Sequence, residues 1–305
     1  MEKVIMCFPG QGSQKQNMAI DLYNYSSKVK ELFQLASDIS HLDLKKIISE
    51  GSLEELKKTE VSQNAIILAS LSSYYLLKEK GIEPLACAGF SLGELMAIRA
   101  CEKIDNETLF KLVHKRSSLM AQSSKEATSK YGEMAMAAII NMNRVAVENI
   151  IISSNFKNIF VANNNTEKQV VISGLKSEIE KITPLLKENG ARRVLMLKVS
   201  GPFHTPLLKS AELEFKEYLN DIDFKPSPIN IYSNVQGTLV DDIKKYVPKQ
   251  ITNKVLWLEI MKNIKENYTN EKIIEVGVST TLTNFFKSED MKCIPCGTLD
   301  QIKGL

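Results

Sequence analysis

Short apolar runs alternate with helical segments in the first third of the chain. The run VIMCF predicts a strand, the glycine-rich PGQGSQ after it predicts a loop, and polar helical sequence follows. From Asn64 to Lys80, apolar residues occupy most faces of a predicted helix, which Gly81 ends. A second apolar run, LACAGF, leads through a serine turn into the helical ELMAIRA. This alternation predicts a parallel α/β domain.

Residues 130 to 199 follow a different pattern. In chain order they predict a strand, a helix, two short strands, a helix and a last strand: MAMAAII, RVAVENIIIS, IFVANN, QVVISG, SEIEKITPLLKENG and RRVLMLKV. The order βαββαβ is typical of a ferredoxin-like module.

The first pattern then resumes toward the C-terminus. It predicts a helix over 207–219, the strand INIYSN, a helix around WLEIMKNIKEN, the strand KIIEVG and a helix from about residue 279. We therefore predict an α/β protein with two subdomains. Residues 1–128 and 200–305 form an α/β-hydrolase-like subdomain with a parallel sheet, and residues 129–199 form an inserted ferredoxin-like subdomain.

Composition narrows the class of protein. A chain of 305 residues with 44% hydrophobic residues can bury a large core, and 39 basic against 36 acidic groups leave a net charge of only +3. This balance predicts no nucleic-acid partner. The N-terminal apolar run is too short for a signal peptide, and no stretch approaches the roughly 18 to 20 apolar residues of a membrane span. We expect a cytoplasmic protein without a membrane partner, and a monomer by default.

The five cysteines are an odd number in a long chain without a secretory signal, which favours reduced thiols over disulfides. Cys293 and Cys296 form one CxxC. Because no second CxxC or histidine pair lies near it, we interpret the two cysteines as strand or loop residues and expect no metal site.

The serine turn GFSLG places Ser91 between Gly89 and Gly93. In an α/β-hydrolase-like corner such glycines clear space, because the turn that presents the serine oxygen brings the strand and helix backbones close together. The amides and the dipole of the following helix point at the same place. GxSxG also occurs by chance in plain tight turns, so both interpretations stay open at this point.

A nucleophilic serine needs a base, and the sequence has three histidines. His41 lies in a polar stretch and His114 in a helical one, which is typical of surface or half-buried residues. His204 lies after a strand on a rigid loop, SGPFHTPLL, and ligands and chemistry collect at the carboxyl ends of strands in α/β sheets. His204 is therefore the only plausible base for Ser91.

Five short motifs occur in order along nearly the whole chain: FPGQGSQ, GFSLGE, GPFH, SNV and EVG. With these motifs the sequence resembles the family of malonyl-CoA:acyl carrier protein transacylases and the related acyltransferases of polyketide synthases. The resemblance also covers the inserted ferredoxin-like module. Five ordered motifs are far more specific than GxSxG alone, so they favour a nucleophilic serine over a plain turn.

The resemblance implies a ping-pong cycle of acyl transfer. Ser91 would attack a thioester and carry the acyl group as an ester, while His204 takes the serine proton and later returns one to the leaving thiol. In this family a main-chain carbonyl orients the histidine, and we assign the matching position to Leu256 in TNKVLWLEI. Relatives often have a polar residue there, and the change to leucine is harmless only if the carbonyl alone matters.

The loop PGQGSQ resembles the oxyanion-hole loop of the family. The backbone N–H groups of Gln11 and Leu92 would be the donors to the tetrahedral intermediate. The alternative is a phosphate-binding turn, because the loop begins like GxGxxG, although Lys15 stands in place of the third glycine. The sequence favours the oxyanion interpretation.

The resemblance also assigns residues to substrate selection. Arg116 matches the family arginine that pairs with the free malonyl carboxylate, since a guanidinium can hold a carboxylate through two parallel hydrogen bonds. Gln63 matches a position that lines the active site, although an ordinary helix-start residue fits nearly as well. Phe90 stands where most relatives have histidine. Phe203 resembles the aromatic residue of malonyl-selective relatives, which keeps malonyl ahead of methylmalonyl.

The leading hypothesis is an acyltransferase that moves malonyl from malonyl-CoA to the phosphopantetheine thiol of an acyl carrier protein, in fatty-acid or polyketide synthesis. It would need no cofactor, because malonyl-CoA is a substrate. Two alternatives stay open. An acyl hydrolase of the same fold would clear carrier proteins, which Arg116 disfavours. An inactive docking subunit of a synthase is disfavoured by the presence of Ser91, His204 and Arg116 together.

Overall fold

The computed structural model describes residues 2–199 and 201–305. The chain folds into two compact units, the first formed by Met1–Ser117, Ile222–Ser233 and Ile264–Leu305, and the second by Ser118–Asp221 and Asn234–Asn263. Met1 and Ser200, at which two of the predicted segments begin, lie outside the described residues.

The helices and strands closely follow the predicted pattern. In chain order they are β1 (Glu2–Phe8), α1 (Ile20–Tyr25), α2 (Ser27–Ser40), α3 (Leu44–Glu50), α4 (Leu53–Lys57), α5 (Thr59–Glu79), β2 (Ile82–Gly89), α6 (Gly93–Ala100), α7 (Asn106–Tyr131), β3 (Met134–Ile140), α8 (Arg144–Ser153), β4 (Ile159–Thr166), β5 (Gln169–Leu175), α9 (Lys176–Glu188), β6 (Arg193–Met196), a 3-10 turn (Pro206–Leu208), α10 (Lys209–Asn220), β7 (Asn230–Tyr232), α11 (Ile243–Lys249), α12 (Trp257–Asn267), β8 (Ile273–Val276), α13 (Thr281–Ser288), β9 (Cys293–Cys296) and α14 (Leu299–Lys303).

A parallel sheet forms the centre of the first unit. In the described part of the chain it has the strand order β7-β2-β1-β8-β9, and all four neighbouring pairs run parallel. Strand β1 is buried from Val4 to Phe8, and β2 from Ala86 to Gly89. Continuous apolar runs of this kind are typical of parallel strands covered on both faces. The predicted parallel α/β subdomain is confirmed.

Helix α5 is buried on nearly every face, from Thr59 to Leu77. Its apolar sequence allows this burial, because a helix that is hydrophobic all round is a core helix. The helix begins five residues before the predicted start at Asn64, in the polar TEVSQ, whose composition carries no helical apolar period. Gln63 therefore lies inside the helix, one turn from its beginning.

The second unit contains an antiparallel sheet with the order β4-β5-β3-β6 among the described residues. With α8 and α9 in sequence between the strands, this is the βαββαβ topology of a ferredoxin-like fold. The core packs apolar residues of the strands against Val147 of α8 and Ile179, Ile182 and Leu186 of α9. The predicted ferredoxin-like module is confirmed.

The second unit also takes in segments outside the predicted insertion 129–199. Val255 lies beside β4, where its N–H donates to the carbonyl of Ala162 (2.9 Å) and its carbonyl accepts from Asn164 (2.9 Å). These bonds attach the segment around α11 and α12 to the ferredoxin-like sheet. The order of elements predicts the inserted sheet, whereas the extent of the compact unit depends on packing that the order does not record.

The cysteines are buried, and Cys293 and Cys296 lie in β9, as the strand interpretation of CxxC predicts. Burial raises the pKa of Cys296 to about 12 and also raises that of Cys293. A buried thiol that stays protonated is a poor nucleophile and metal ligand. Within the described residues no group of three or more His, Cys, Asp or Glu side chains is arranged to hold a metal ion. None of the described helices is long and apolar enough to cross a membrane.

The two glycines of the serine turn stand where three backbone segments cross. A Cβ atom on Gly89 would lie 1.9 Å from the carbonyl carbon of Gly93, and one on Gly93 would lie 2.1 Å from the carbonyl oxygen of Phe8. Neighbouring backbone cannot yield as a flexible side chain can. Strand β2, helix α6 and the end of β1 can therefore meet only if these positions carry no side chain.

Gly93→Ala should lower the free energy of unfolding by roughly 3 kcal/mol or more, because the new methyl group meets main chain rather than a movable side chain. Denaturant unfolding followed by circular dichroism would measure the change. Gly304→Ala is the matched control, since a Cβ atom there lies no closer than 3.3 Å to its neighbours. Equal small losses in both variants would contradict a tight crossing at Gly93.

Candidate active site

Ser91 lies at a sharp corner between strand and helix. Strand β2 ends at Gly89, α6 begins at Gly93, and Ser91 has a φ of 52°, in the left-handed region that non-glycine residues rarely adopt. Its side chain is nearly buried, with 9% of the residue exposed. This is the strand-turn-helix placement that the sequence predicts for a nucleophilic serine.

The turn leaves one backbone donor of the corner unused. The N–H groups of the next three residues donate to carbonyls three residues earlier: Gly93 to Phe90 (3.0 Å), Glu94 to Ser91 (3.0 Å) and Leu95 to Leu92 (3.1 Å). Among the described residues, the Leu92 N–H has no acceptor. A buried N–H without a partner is unusual, and beside a serine it is suited to stabilise an oxyanion.

The loop after β1 packs against this corner. A Cβ atom on Gly10 would lie 2.5 Å from the carbonyl oxygen of Phe90, and the hydroxyl of Ser13 donates to the carbonyl of Gly10 (2.8 Å). The Gln11 N–H also has no acceptor in the described part of the chain. A phosphate-binding turn would lead directly into a helix N-terminus, but α1 begins only at Ile20. The geometry favours the oxyanion interpretation of the loop.

Arg116 is buried beside the serine. Only 2% of the residue is exposed, and its guanidinium donates from Nη1 to Gln63 Oε1 (2.8 Å) and from Nη2 to Ser91 Oγ (3.4 Å). Burial lowers the pKa of Arg116 to about 10, and the negative charge of Glu94 acts in the opposite direction. The side chain therefore remains a cation at neutral pH, at the oxygen that would carry an acyl group.

A chain of polar contacts runs from Arg116 to the loop after β1. An arginine only donates, so Gln63 must accept through Oε1, which leaves its Nε2 to donate to Gln11 Oε1 (3.3 Å). The Nε2 of Gln11 then makes a long contact with Thr59 Oγ1 (3.5 Å). The positive charge of Arg116 thus sets the orientation of both glutamine amides. Gln63 lines the candidate site rather than the protein surface.

Phe90 occupies the position before the serine. Its ring lies beside that of Phe285 in α13, with 5.9 Å between the ring centroids and an interplanar angle of 50°. A histidine at this position would bring a polar ring to the same place. In this chain the two side chains packed together next to the serine turn, Phe90 and Phe285, are aromatic and apolar.

His204 lies in the second unit, on a turn that is closed by the side chain of the next residue. The hydroxyl of Thr205 donates to the carbonyl of Pro202 (2.6 Å), and His204 has a φ of 61°. Its N–H donates to the carbonyl of Ile251 (3.1 Å), and its Nδ1 lies 2.7 Å from the carbonyl oxygen of Gln250. Because a carbonyl only accepts, Nδ1 carries the proton, and Nε2 of the neutral ring keeps its lone pair for use as a base.

The prediction that Leu256 supplies the orienting carbonyl is wrong. The Leu256 carbonyl accepts from Ile260 in the first turn of α12 (3.1 Å), and its N–H donates to the carbonyl of Asn234 (2.8 Å). Gln250 provides the carbonyl instead. It follows α11 directly, where the carbonyls at a helix end lack helical partners. The only sequence signal for the role of Gln250 is the end of the helix at KYVPKQ. A helix end indicates carbonyls without helical partners, but it does not indicate where those carbonyls point.

The surroundings of His204 differ from expectation in one respect. Strand β6, the last strand before it, belongs to the antiparallel sheet, so the rule about the carboxyl ends of parallel strands does not explain its position.

Phe203 is buried, and its ring lies against Gly201. His41 is exposed at the end of α2 and His114 is half-buried in α7, as predicted for the two other histidines.

The predicted site residues fall into two groups. The first unit brings together Gln11, Gln63, Ser91, Leu92 and Arg116, with Phe90 at their edge. The second unit brings Phe203 and His204 together with Gln250, which the sequence did not indicate. Thr59 and Glu94 belong with the first group through their interactions with Gln11 and Arg116.

A chain that combines a parallel α/β unit, with a serine at a strand-to-helix corner, and a ferredoxin-like unit has the architecture of an acyltransferase. The chain belongs to the family of acyl transferase domains, whose model matches residues 5–282.

Proteins similar to this chain share one description. The malonyl CoA-acyl carrier protein transacylase of Bacillus subtilis (strain 168) is 35% identical over 293 residues, which cover 94% of this chain and 90% of the relative. The crystal structure of the Streptococcus pneumoniae enzyme of that type matches with a TM-score of 0.90 at 29% identity and covers 100% of both chains. A malonyl transacylase in complex with a type II polyketide synthase acyl carrier protein matches with a TM-score of 0.92 at 30% identity, over 99% of this chain and 98% of that chain.

Gln63→Leu should slow acylation of Ser91 by about 10- to 100-fold, because it removes a hydrogen bond to a charged group and releases the Gln11 side chain. Rapid-quench measurement of acyl loading from malonyl-CoA would test this. Gln34→Leu, which removes an exposed contact with Asp38, is the matched control. An unchanged loading rate in a folded Gln63→Leu protein would mean that the polar chain does not hold the site.

Proposed function

We propose that this chain is a malonyl-CoA:acyl carrier protein transacylase. The observation that carries the proposal is the buried Arg116 guanidinium 3.4 Å from Ser91 Oγ. A cation at this place is suited to an acyl group that ends in a carboxylate, because the carboxylate offsets the desolvation of the arginine. The names of the relatives agree with this substrate.

The first half-reaction forms an ester on Ser91. The hydroxyl proton passes to Nε2 of His204 while Oγ bonds to the thioester carbon of malonyl-CoA. The tetrahedral intermediate then collapses, the carbon–sulfur bond breaks, and the CoA thiolate takes the proton from the imidazolium. The free thiol leaves, and the acyl group stays on the serine.

Two backbone donors would stabilise the intermediate. The N–H groups of Leu92 and Gln11 lack acceptors among the described residues, and the packing of Gly10 against Phe90 holds the two segments together. A donor of this kind typically contributes about 100- to 1000-fold in rate.

His204 would act as the base because its ring is already oriented. The bond from Nδ1 to the Gln250 carbonyl selects the tautomer in which Nε2 carries no proton. In the second half-reaction the same nitrogen takes the proton of the carrier-protein thiol. The thiolate attacks the ester, the bond from the acyl carbon to Oγ breaks, and Oγ recovers the proton.

Selection of the acyl group rests on four side chains. Arg116 favours a terminal carboxylate, and Phe90 with Phe285 presents an apolar surface beside the serine turn. Phe203, by its resemblance to malonyl-selective relatives, would disfavour the extra methyl group of methylmalonyl. We propose no cofactor, because the chain supplies nucleophile, base and donors, and we place the reaction in the cytoplasm.

Incubation with malonyl-CoA should leave a malonyl adduct on Ser91, and Ser91→Ala should abolish it, because Ser91 is the one serine among the described residues that has a positive φ at a strand-to-helix corner. Intact-protein mass spectrometry followed by peptide mapping would measure it. Ser49→Ala changes a half-buried serine in α3; this variant serves as the control and should be acylated normally. An adduct that persists in Ser91→Ala would contradict the proposal.

Arg116→Ala should lower malonyl loading by about 10- to 100-fold, because it removes a charge-assisted hydrogen bond, whereas acetyl loading should fall less or rise. Parallel kinetics with malonyl-CoA and acetyl-CoA give the ratio that matters. Arg99→Ala in α6 is the control and should leave this ratio unchanged. Equal losses for both substrates would make Arg116 structural, and would leave room for a hydrolase of the same fold.

A further inference from the structure

The candidate base is held by a short turn rather than by a regular element. His204 has a left-handed backbone, and two carbonyls hold it: that of Ile251 accepts from its N–H, and that of Gln250 from its ring. A left-handed backbone costs free energy at a histidine, and it persists only where the surrounding structure holds the residue in place. The position of the 250–251 segment therefore decides where the imidazole points.

That segment is the irregular end of α11. The N–H of Ile251 donates to Pro248 (3.1 Å), and the N–H groups of Thr252 and Asn253 both donate to Lys249 (3.1 and 3.0 Å). These local bonds curl the chain so that the carbonyls of Gln250 and Ile251 turn toward His204. They do not by themselves fix the turn against the rest of the unit.

A side-chain pair ties the turn to the helix that follows His204 in sequence. Thr252 Oγ1 donates to Glu212 Oε2, and Glu212 lies in the first turn of α10. Both residues are buried, with 8% of Thr252 and 6% of Glu212 exposed. The ammonium group of Lys209, which is on the protein surface, lies 2.7 Å from the other carboxylate oxygen, Oε1. The buried carboxylate is thus paired on both oxygens.

We propose that Glu212 and Thr252 are positioning residues for His204, and this inference rests on the proposed function of His204 as the base. The pair fixes the turn that supplies the Gln250 and Ile251 carbonyls. A carboxylate thus serves the histidine indirectly, through a threonine and a main-chain carbonyl. In this proposal the pair acts on the reaction through the imidazole.

Thr252→Val removes the hydroxyl at nearly constant volume and should lower the rate of Ser91 acylation by about 10- to 100-fold, because small displacements of a catalytic group cost that much. The KM for malonyl-CoA should stay within about twofold of the original value on the same reasoning. Thr252→Ser keeps the donor and should restore most of the rate. Thr183→Val, which removes a hydroxyl bound to the Ile179 carbonyl in α9, is the matched control.

A second experiment separates positioning from general loss of structure. In a His204→Ala background, Thr252→Val should cost less than about twofold in rate, because the group it positions is already gone. Glu212→Gln and Thr252→Val combined should cost about as much as the worse single variant. A full additional loss in the His204→Ala background, or an unchanged rate in a folded Thr252→Val protein, would overturn the inference. If His204→Ala itself acylates at the original rate, the proposed function fails instead.

Discussion

The crossing of backbones at the serine turn is the constraint on which the candidate site depends. Gly89 and Gly93 allow β2, α6 and the end of β1 to approach to distances that any Cβ atom would prevent. At this spacing Ser91 is forced into a left-handed conformation, and the next three N–H groups find carbonyls within the turn. Among the residues that the structure describes, the Leu92 N–H beside the serine has no acceptor. The position of the hydroxyl at the corner, and a donor without an acceptor in the described part of the chain, thus follow from one close contact.

The charge of Arg116 organises the same site from the other side. Because a guanidinium has only donors, it dictates which end of each amide faces which neighbour, through Gln63 to Gln11. The group that would bind the substrate carboxylate is therefore connected to the loop that would bind the oxyanion. A substrate carboxylate would add a third acceptor for Arg116, besides Gln63 and Ser91, so binding and the position of the Gln11 loop are physically coupled.

Local sequence predicts the sheets and the place of Ser91, because apolar runs and paired glycines record burial and close approach directly. Arg116 is different: its helix is rich in polar residues, and only family resemblance predicts that this arginine is buried. The Leu256 prediction failed because every residue carries a carbonyl, and side-chain identity does not say which one faces His204. The position of Gln250 is set by the curl after α11, where the Thr252 side chain is bonded to Glu212, 40 residues earlier in the sequence.

The partner of His204 also bears on the direction of proton transfer. An ionised carboxylate beside the ring would strongly stabilise an imidazolium, whereas the neutral carbonyl of Gln250 orients the ring and stabilises that charge less. A ping-pong cycle needs the same nitrogen to take a proton and to give it back in each half-reaction. A weaker stabilisation of the charged ring makes the return step easier. Glu212 contacts the turn through the hydroxyl of Thr252, which lies two residues after Gln250. Its carboxylate therefore helps to hold the turn in place, while the group bonded to the ring is a neutral carbonyl.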